Sequence, residues 1–301
     1  MQQLNSSNSS LTTPIPTGNL VASIVLAICF ILVCVTLGIP GNIVVVVRLA
    51  GWLKGGSFTP RLMLSLAISD LLTLLSLPVW IWTLLHGWVF GVVLCKLLSY
   101  FVYLSVYCST LFVVLMSVQR YMQVLRPQKW NKLGRKGKKI LLSGIWILSG
   151  VISSYALVQR NVSTNKEGWL LCKQGYQNNV ERVTILIWEI ILFVVLFPIL
   201  AYFYFRLHRG ANNSTFVSSQ SLTKLVTRIV VCFFIFWFPK IISNIVLIIA
   251  VLLRNDSLLR SAEAADNITT ALIFIHSWVN PFLYAFSARA VQQHATGTEN
   301  I

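Results

Sequence analysis

Ten polar side chains stand inside long apolar runs of this sequence: Asn42, Asp70, Ser109, Arg120, Glu189, Lys240, Asn244, His276, Ser277 and Asn280. Placed in hydrocarbon, a charged group costs about 2.5 to 3.5 kcal/mol on insertion scales, so each needs a partner, water or a function. Asp70, with the oxygens of Asn42, Ser109, Ser277 and Asn280, is a donor set for a small hard cation such as sodium. The alternative is a water-filled polar network that only ties helices together. Lys240 could bind an acid group or pair with Glu189, and Asn244 shares its helix. Covalent and metal chemistry find no footing, because His86, His208, His276 and His294 are dispersed and no G-x-S-x-G motif occurs. No enzyme and no resident cofactor is expected.

The elements that carry these residues follow from composition. The 301 residues are 56% hydrophobic and 11% charged, and their mean hydropathy is +0.75, which is too apolar for a water-soluble domain. Seven apolar stretches are long enough to cross a bilayer as helices: 20–48, 59–86, 92–124, 139–160, 182–206, 223–253 and 267–287. The sequence thus predicts an all-α bundle of seven transmembrane helices, with a tail at 1–19, a membrane domain at 20–288 and a short inner tail at 289–301. The opening stretch lacks a basic start and an early apolar core, so the first span is expected to act as its own insertion signal.

Loop charge sets the orientation. With the N-terminus outside, sixteen of the 24 basic residues face the cytoplasm and seven face out, Lys240 being left over. Asn5, Asn8 and Asn161 begin N-x-S/T triplets on the outer side and are candidate glycosylation sites, as are Asn255 and Asn267 at its edge. The net charge of +16 lies in loops flanking the spans, where anionic lipid accounts for it; nucleic acid is not an expected partner. Cys29, Cys34, Cys108 and Cys232 fall inside spans as packing residues, whereas Cys95 and Cys172 both fall on the oxidising side and are predicted to form a disulfide.

Helical spacing orients the lysine. Phe233, Trp237, Lys240 and Asn244 recur at i, i+4, i+7 and i+11 and share a face, which their polar members turn toward the bundle. Lys240 lies about 21 Å of helix from Arg254 and about 18 Å from Arg228. A side chain reaching roughly 6 Å cannot snorkel to either interface. Its partner is either Glu189 on the fifth span or the acid group of a ligand, with Arg160 as a second cation at the top of the fourth span. Tyr100, Tyr103 and Tyr107 recur at helical spacing on the third span and either line the same cavity or pack in the core.

The motifs, taken in order, resemble the rhodopsin-like G-protein-coupled receptors from about residue 20 to 288. They are Asn42 in GN, Asp70 in LAxxD, WVFG at 88–91, Cys95, Gln119-Arg120-Tyr121 as QRY, Trp146, Cys172, Pro198, Trp237 and Pro239 in FWFP, and Asn280 to Tyr284 in NPFLY. The resemblance implies a plasma-membrane receptor whose inner surface opens to a heterotrimeric G protein. Gln119, Arg120, Tyr121 and Tyr284 would form the switch, and Trp237 would lie below the ligand. A closer resemblance is to the leukotriene B4 receptors, a chemoattractant branch, carried by LGIPGN with LAGW, YFVYLSVYCS, GIWILS and TTALIF. It implies a small acidic lipid ligand, an inhibitory G protein, and ligand contacts at Tyr103, Tyr107, Arg160, Glu189, Trp237, Lys240 and Asn244.

Departures from that pattern bear on the ligand. Ser99 stands where a histidine is expected and Asp266 where an arginine is expected, an anion that would repel a lipid carboxylate. The usual DRY acid is Gln119, and no amphipathic eighth helix or palmitoylation cysteine follows Tyr284. A peptide or chemokine receptor is the nearest alternative. A channel or transporter would also place charges at the midplane, but the chain has no internal repeat. A retinal photoreceptor would need a lysine in the seventh span, which has none.

Overall fold

In the computed structural model of the protein, the described residues are 18–52, 58–165, 168–211 and 217–297, with side chains described from residue 25 and as far as residue 282. The apolar stretches form long helices: α1 (Gly18–Trp52), α2 (Phe58–His86), α3 (Gly91–Leu125), α7 (Asn179–Ala211), α8 (Val217–Leu252) and α9 (Asp256–Gly297). Between α3 and α7 lie a short α4 (Pro127–Lys132), then α5 (Gly134–Ser153), α6 (Tyr155–Gln159) and a hairpin of β1 (Arg160–Thr164) and β2 (Leu170–Gln174). Six crossings, one of them α5 continued by α6, are long and apolar enough to span a membrane. The seventh apolar stretch lies in α9, whose first turns are polar. The fold is a seven-helix bundle with one hairpin, which apolar periodicity did not anticipate.

Proline sits inside five of these helices, at Pro40, Pro78, Pro198, Pro239 and Pro281. Each removes one backbone hydrogen bond, a loss that neighbouring helices and side chains tolerate in a bundle. The third helix has no proline and is the central rod, packing on α2, α5, α7 and α8. Its buried Phe112, Val113 and Met116 join Leu62, Leu66, Leu200, Ile229 and Phe233 in the main core. Glycine lets α1 close on its neighbours. A Cβ on Gly38 would come within 2.7 Å of the Trp278 Cβ and 2.8 Å of Leu74 Cδ1.

The fourth helix breaks at Ser154, whose hydroxyl and amide both turn back to the Val151 carbonyl at 2.7 and 3.2 Å. It resumes as α6 as far as Gln159, and Arg160, expected as the last residue of the fourth span, is the first residue of β1. The last helix is longer than the apolar stretch 267–287 at both ends, running from Asp256 to Gly297. Residues 288–296 contain neither Pro nor Gly and include Ala, Gln and Arg, good helix formers.

The hairpin closes over the end of the bundle at which α3 begins. Val162 pairs with Cys172 in an antiparallel register, and Cys172 is disulfide-bonded to Cys95 at the start of α3, with Cα atoms 5.6 Å apart. Trp88 fastens it again: its amide donates to the Leu170 carbonyl at 2.7 Å and its indole to the Gly91 carbonyl at 2.8 Å. Gly87 must turn with φ +74°, and a Cβ there would meet the Leu170 carbonyl oxygen at 3.2 Å.

Candidate functional site

Beneath the hairpin lies a cavity of about 760 Å³. Tyr103, Tyr107, Arg160, Glu189, Trp237, Lys240 and Asn244 all line it, brought together from α3, β1, α7 and α8. The stripe of Phe233, Trp237, Lys240 and Asn244 runs up one wall, with Trp237 5.5 Å from the Phe233 ring. Tyr100 is not among the lining residues. A Cβ on Gly150 would be 3.2 Å from its hydroxyl, so it fills the groove between α3 and α5.

Arg160 is set by the hairpin. As the first residue of β1 it donates from Nη2 to the Tyr103 hydroxyl at 3.0 Å, with its guanidinium 5.5 Å from that ring's centroid. Tyr103 itself stacks on Tyr107, ring centroids 6.3 Å apart, and packs against the tilted Tyr155 ring at 5.1 Å. No carboxylate pairs with Arg160 among the described residues, and its Nε is buried without a hydrogen-bond partner. Nearer the mouth, Arg182 binds Glu263 at 2.8 Å and lies 5.3 Å from the Tyr176 ring. Burial pushes the Tyr176 phenol above its ordinary range, so it is present as a hydroxyl.

Of the two partners expected for Lys240, Glu189 or a ligand's acid group, the first is replaced within the protein by Asp266. Its Nζ donates to Asp266 Oδ1 on α9 at 2.7 Å, and the Ser243 hydroxyl donates to the same oxygen at 3.1 Å. Glu189 instead accepts from Asn244 Nδ2 at 2.8 Å. The physical reason is the rotation of α9. Asp266, Ile273 and Asn280 recur every seven residues and lie on one face, which carries Asp266 into the cavity opposite Lys240. That periodicity was the available signal for the missed residue. The pair is mostly withdrawn from solvent, its side chains 13% and 24% exposed.

A second polar cluster lies deeper. Asp70, fully buried, accepts from Ser109 Oγ at 3.0 Å and from Asn280 Nδ2 at 2.7 Å. Asn42 Nδ2 donates to the Gly38 and Ser277 carbonyls, both at 3.0 Å. The Oδ1 atoms of Asn42 and Asn280 are buried without partners. One carboxylate with several neutral oxygens suits a monovalent hard cation. Among the described residues no group of three or more His, Cys, Asp or Glu is arranged to hold a metal.

Near the C-terminal end of α3, Gln119 is buried and donates to the Thr59 hydroxyl at 2.8 Å. Arg120 is 6% exposed and makes no ion pair among the described residues. Tyr121 packs on Phe203, ring centroids 5.0 Å apart. The side chain of Tyr284 lies outside the described residues, as do Asn5 and Asn8. Asn161 is exposed on β1.

Residues 41–284 match the family described as "7 transmembrane receptor (rhodopsin family)". The chain is 32% identical to human leukotriene B4 receptor 1 over 86% of its own length and 76% of the relative's. To mouse C-C chemokine receptor type 8 it is 31% identical over 88% and 77%, and to G-protein coupled receptor E1 of equine herpesvirus 2 it is 31% identical over 85% and 69%. The matched region contains the disulfide, the Asp70 cluster and the charged and aromatic residues named in the cavity, so the chain belongs to the rhodopsin family of seven-transmembrane receptors, a multi-pass protein of the plasma membrane and not an enzyme.

Proposed function

We propose that the protein is a receptor for a small acidic lipid mediator of the leukotriene B4 type, signalling to an inhibitory heterotrimeric G protein in chemoattractant responses. One observation carries this reading: Arg160, with no carboxylate partner among the described residues and a buried Nε without a hydrogen bond, lines the cavity beside Tyr103 and Tyr107. A carboxylate reaching it gains a charge-assisted hydrogen bond where water is scarce. Tyr103 and Tyr107 orient the ligand, Glu189 and Asn244 accept from its hydroxyls, and Trp237 forms the floor. In this reading Gln119, Arg120, Tyr121 and Tyr284 make the G-protein switch, and Asp70 with Asn42, Ser109, Ser277 and Asn280 holds sodium. The N-terminus faces outward with glycans on Asn5, Asn8 and Asn161. The similarity to chemokine receptors favours a second reading, a peptide or chemokine ligand.

Cells expressing the chain, challenged with eicosanoids, hydroxy fatty acids and a chemokine panel, distinguish the two by calcium or cyclic AMP. An acidic lipid is expected to signal, and Arg160→Ala to lower its potency at least tenfold at unchanged surface expression. Response to chemokines alone would overturn the lipid reading.

A further inference from the structure

The charges lining the cavity are four cations, Arg160, Lys173, Arg182 and Lys240, and three acids, Glu189, Glu263 and Asp266. Two ion pairs divide them: Arg182 with Glu263 near the mouth and Lys240 with Asp266 below it. Lys173 is exposed on β2. The remaining charges are Arg160 on β1 and Glu189 on α7. Below the Arg182–Glu263 pair, α7, α8 and α9 therefore contribute one ammonium and two carboxylates, whereas β1 contributes a guanidinium with no carboxylate partner among the described residues.

We propose that Asp266 sets the charge class of the ligand: by holding Lys240 it leaves Arg160 as the cation available to a ligand's acid, and so selects ligands with one anionic group over those with two. Asp266 is well placed for this. Its Oδ1 takes both the Lys240 ammonium and the Ser243 hydroxyl, which fixes the carboxylate on α8 rather than leaving it to swing away. A second ligand carboxylate near Lys240 would meet Asp266 on that ammonium and Glu189 across the gap. In a partly desolvated site, like charges at that range oppose binding far more strongly than in water. A hydroxyl there is welcome, since Asn244 Oδ1 is buried and has no donor. This inference deepens the acidic-lipid reading and rests on it for the role of Arg160.

Purified receptor is titrated with two probes: a hydroxylated eicosanoid bearing one carboxylate, and its matched analogue with a carboxylate at each end. The wild-type chain is expected to bind the first at least tenfold more tightly. Asp266→Asn should cut that preference at least tenfold by strengthening the dicarboxylate, and Lys240→Met with Asp266→Asn should abolish the gain. Lys240→Met alone exposes both acids and should weaken the monocarboxylate at least tenfold, a loss the double variant recovers. Asp266→Ser, carried in parallel, reads the same change if the asparagine variant fails to fold. Equal effects of Asp266→Asn on both probes, or a gain that survives the double variant, would overturn the proposal. If the wild type binds neither probe, the acidic-lipid reading fails. Asp266 is then judged by whether removing its charge creates dicarboxylate binding that needs Lys240, and no such binding overturns the masking role too.

Discussion

At the scale of single residues, the polar groups in the bundle differ in how completely they are satisfied. Asp70 has two donors and Lys240 has a carboxylate, whereas the Arg120 Nε, like that of Arg160, is buried and unpartnered. Gln119 occupies the place of an acid beside Arg120 and spends its amide on Thr59, leaving its own Oε1 without a partner. Gln119→Asp should supply a counter-charge, hold Arg120 in the resting arrangement and lower ligand-free G-protein activation. A basal signal equal to the wild type's in nucleotide-exchange assays would show that no restraint is missing there. The sequence flagged Arg120 by type and depth, since a cation in an apolar run has few innocent explanations, and Arg160 as a cation at the top of the fourth span and through the family resemblance. It did not show the pairing of Lys240. That depends on α9 facing α8, a relation between helices and not within one.

At the scale of elements, close approach of backbones does much of the positioning. Gly38 lets α1 lie against both α2 and α9, which brings Asn42 one turn later to the Ser277 carbonyl. Gly38→Ala inserts a methyl where 2.7 Å is available. It should destabilise by about 1–3 kcal/mol, as overpacking does. The expected readout is a lower thermal midpoint of the detergent-solubilised receptor, and an unchanged midpoint would mean α1 is free to move away. The hairpin is the element the sequence hid. Its strands are five residues each and mixed in polarity, so no alternation announces them. Only the disulfide prediction placed Cys172 near α3, and the strand that follows from it moves Arg160 off the fourth helix and over the cavity.

At the scale of the whole molecule, two polar sites share one bundle, the outer cavity and the deeper Asp70 cluster. The second draws on α1, α2, α3 and α9 at once. A cation held by these oxygens would favour the arrangement in which they converge. Replacing N-methylglucamine with sodium at constant ionic strength should therefore lower basal activation of the wild type and leave Asp70→Asn unaffected. A sodium response that persists in Asp70→Asn would assign it to another site.

The sequence by itself determined the class of the molecule: seven apolar lengths matched to a bilayer, the depth of the polar residues, and the helical face shared by Phe233, Trp237, Lys240 and Asn244. These are properties of a chain against a solvent and of one helix against its own period, and both are local. The tertiary structure alone decided which charges cancel. Lys240 and Asp266 lie 26 residues apart on different helices, and whether they meet depends on how α8 and α9 pack and rotate against each other. That contact converts Asp266 from an anion expected to repel a ligand into the group that occupies Lys240. It leaves Arg160, carried by a strand the sequence did not announce, as a pocket cation with no carboxylate partner among the described residues.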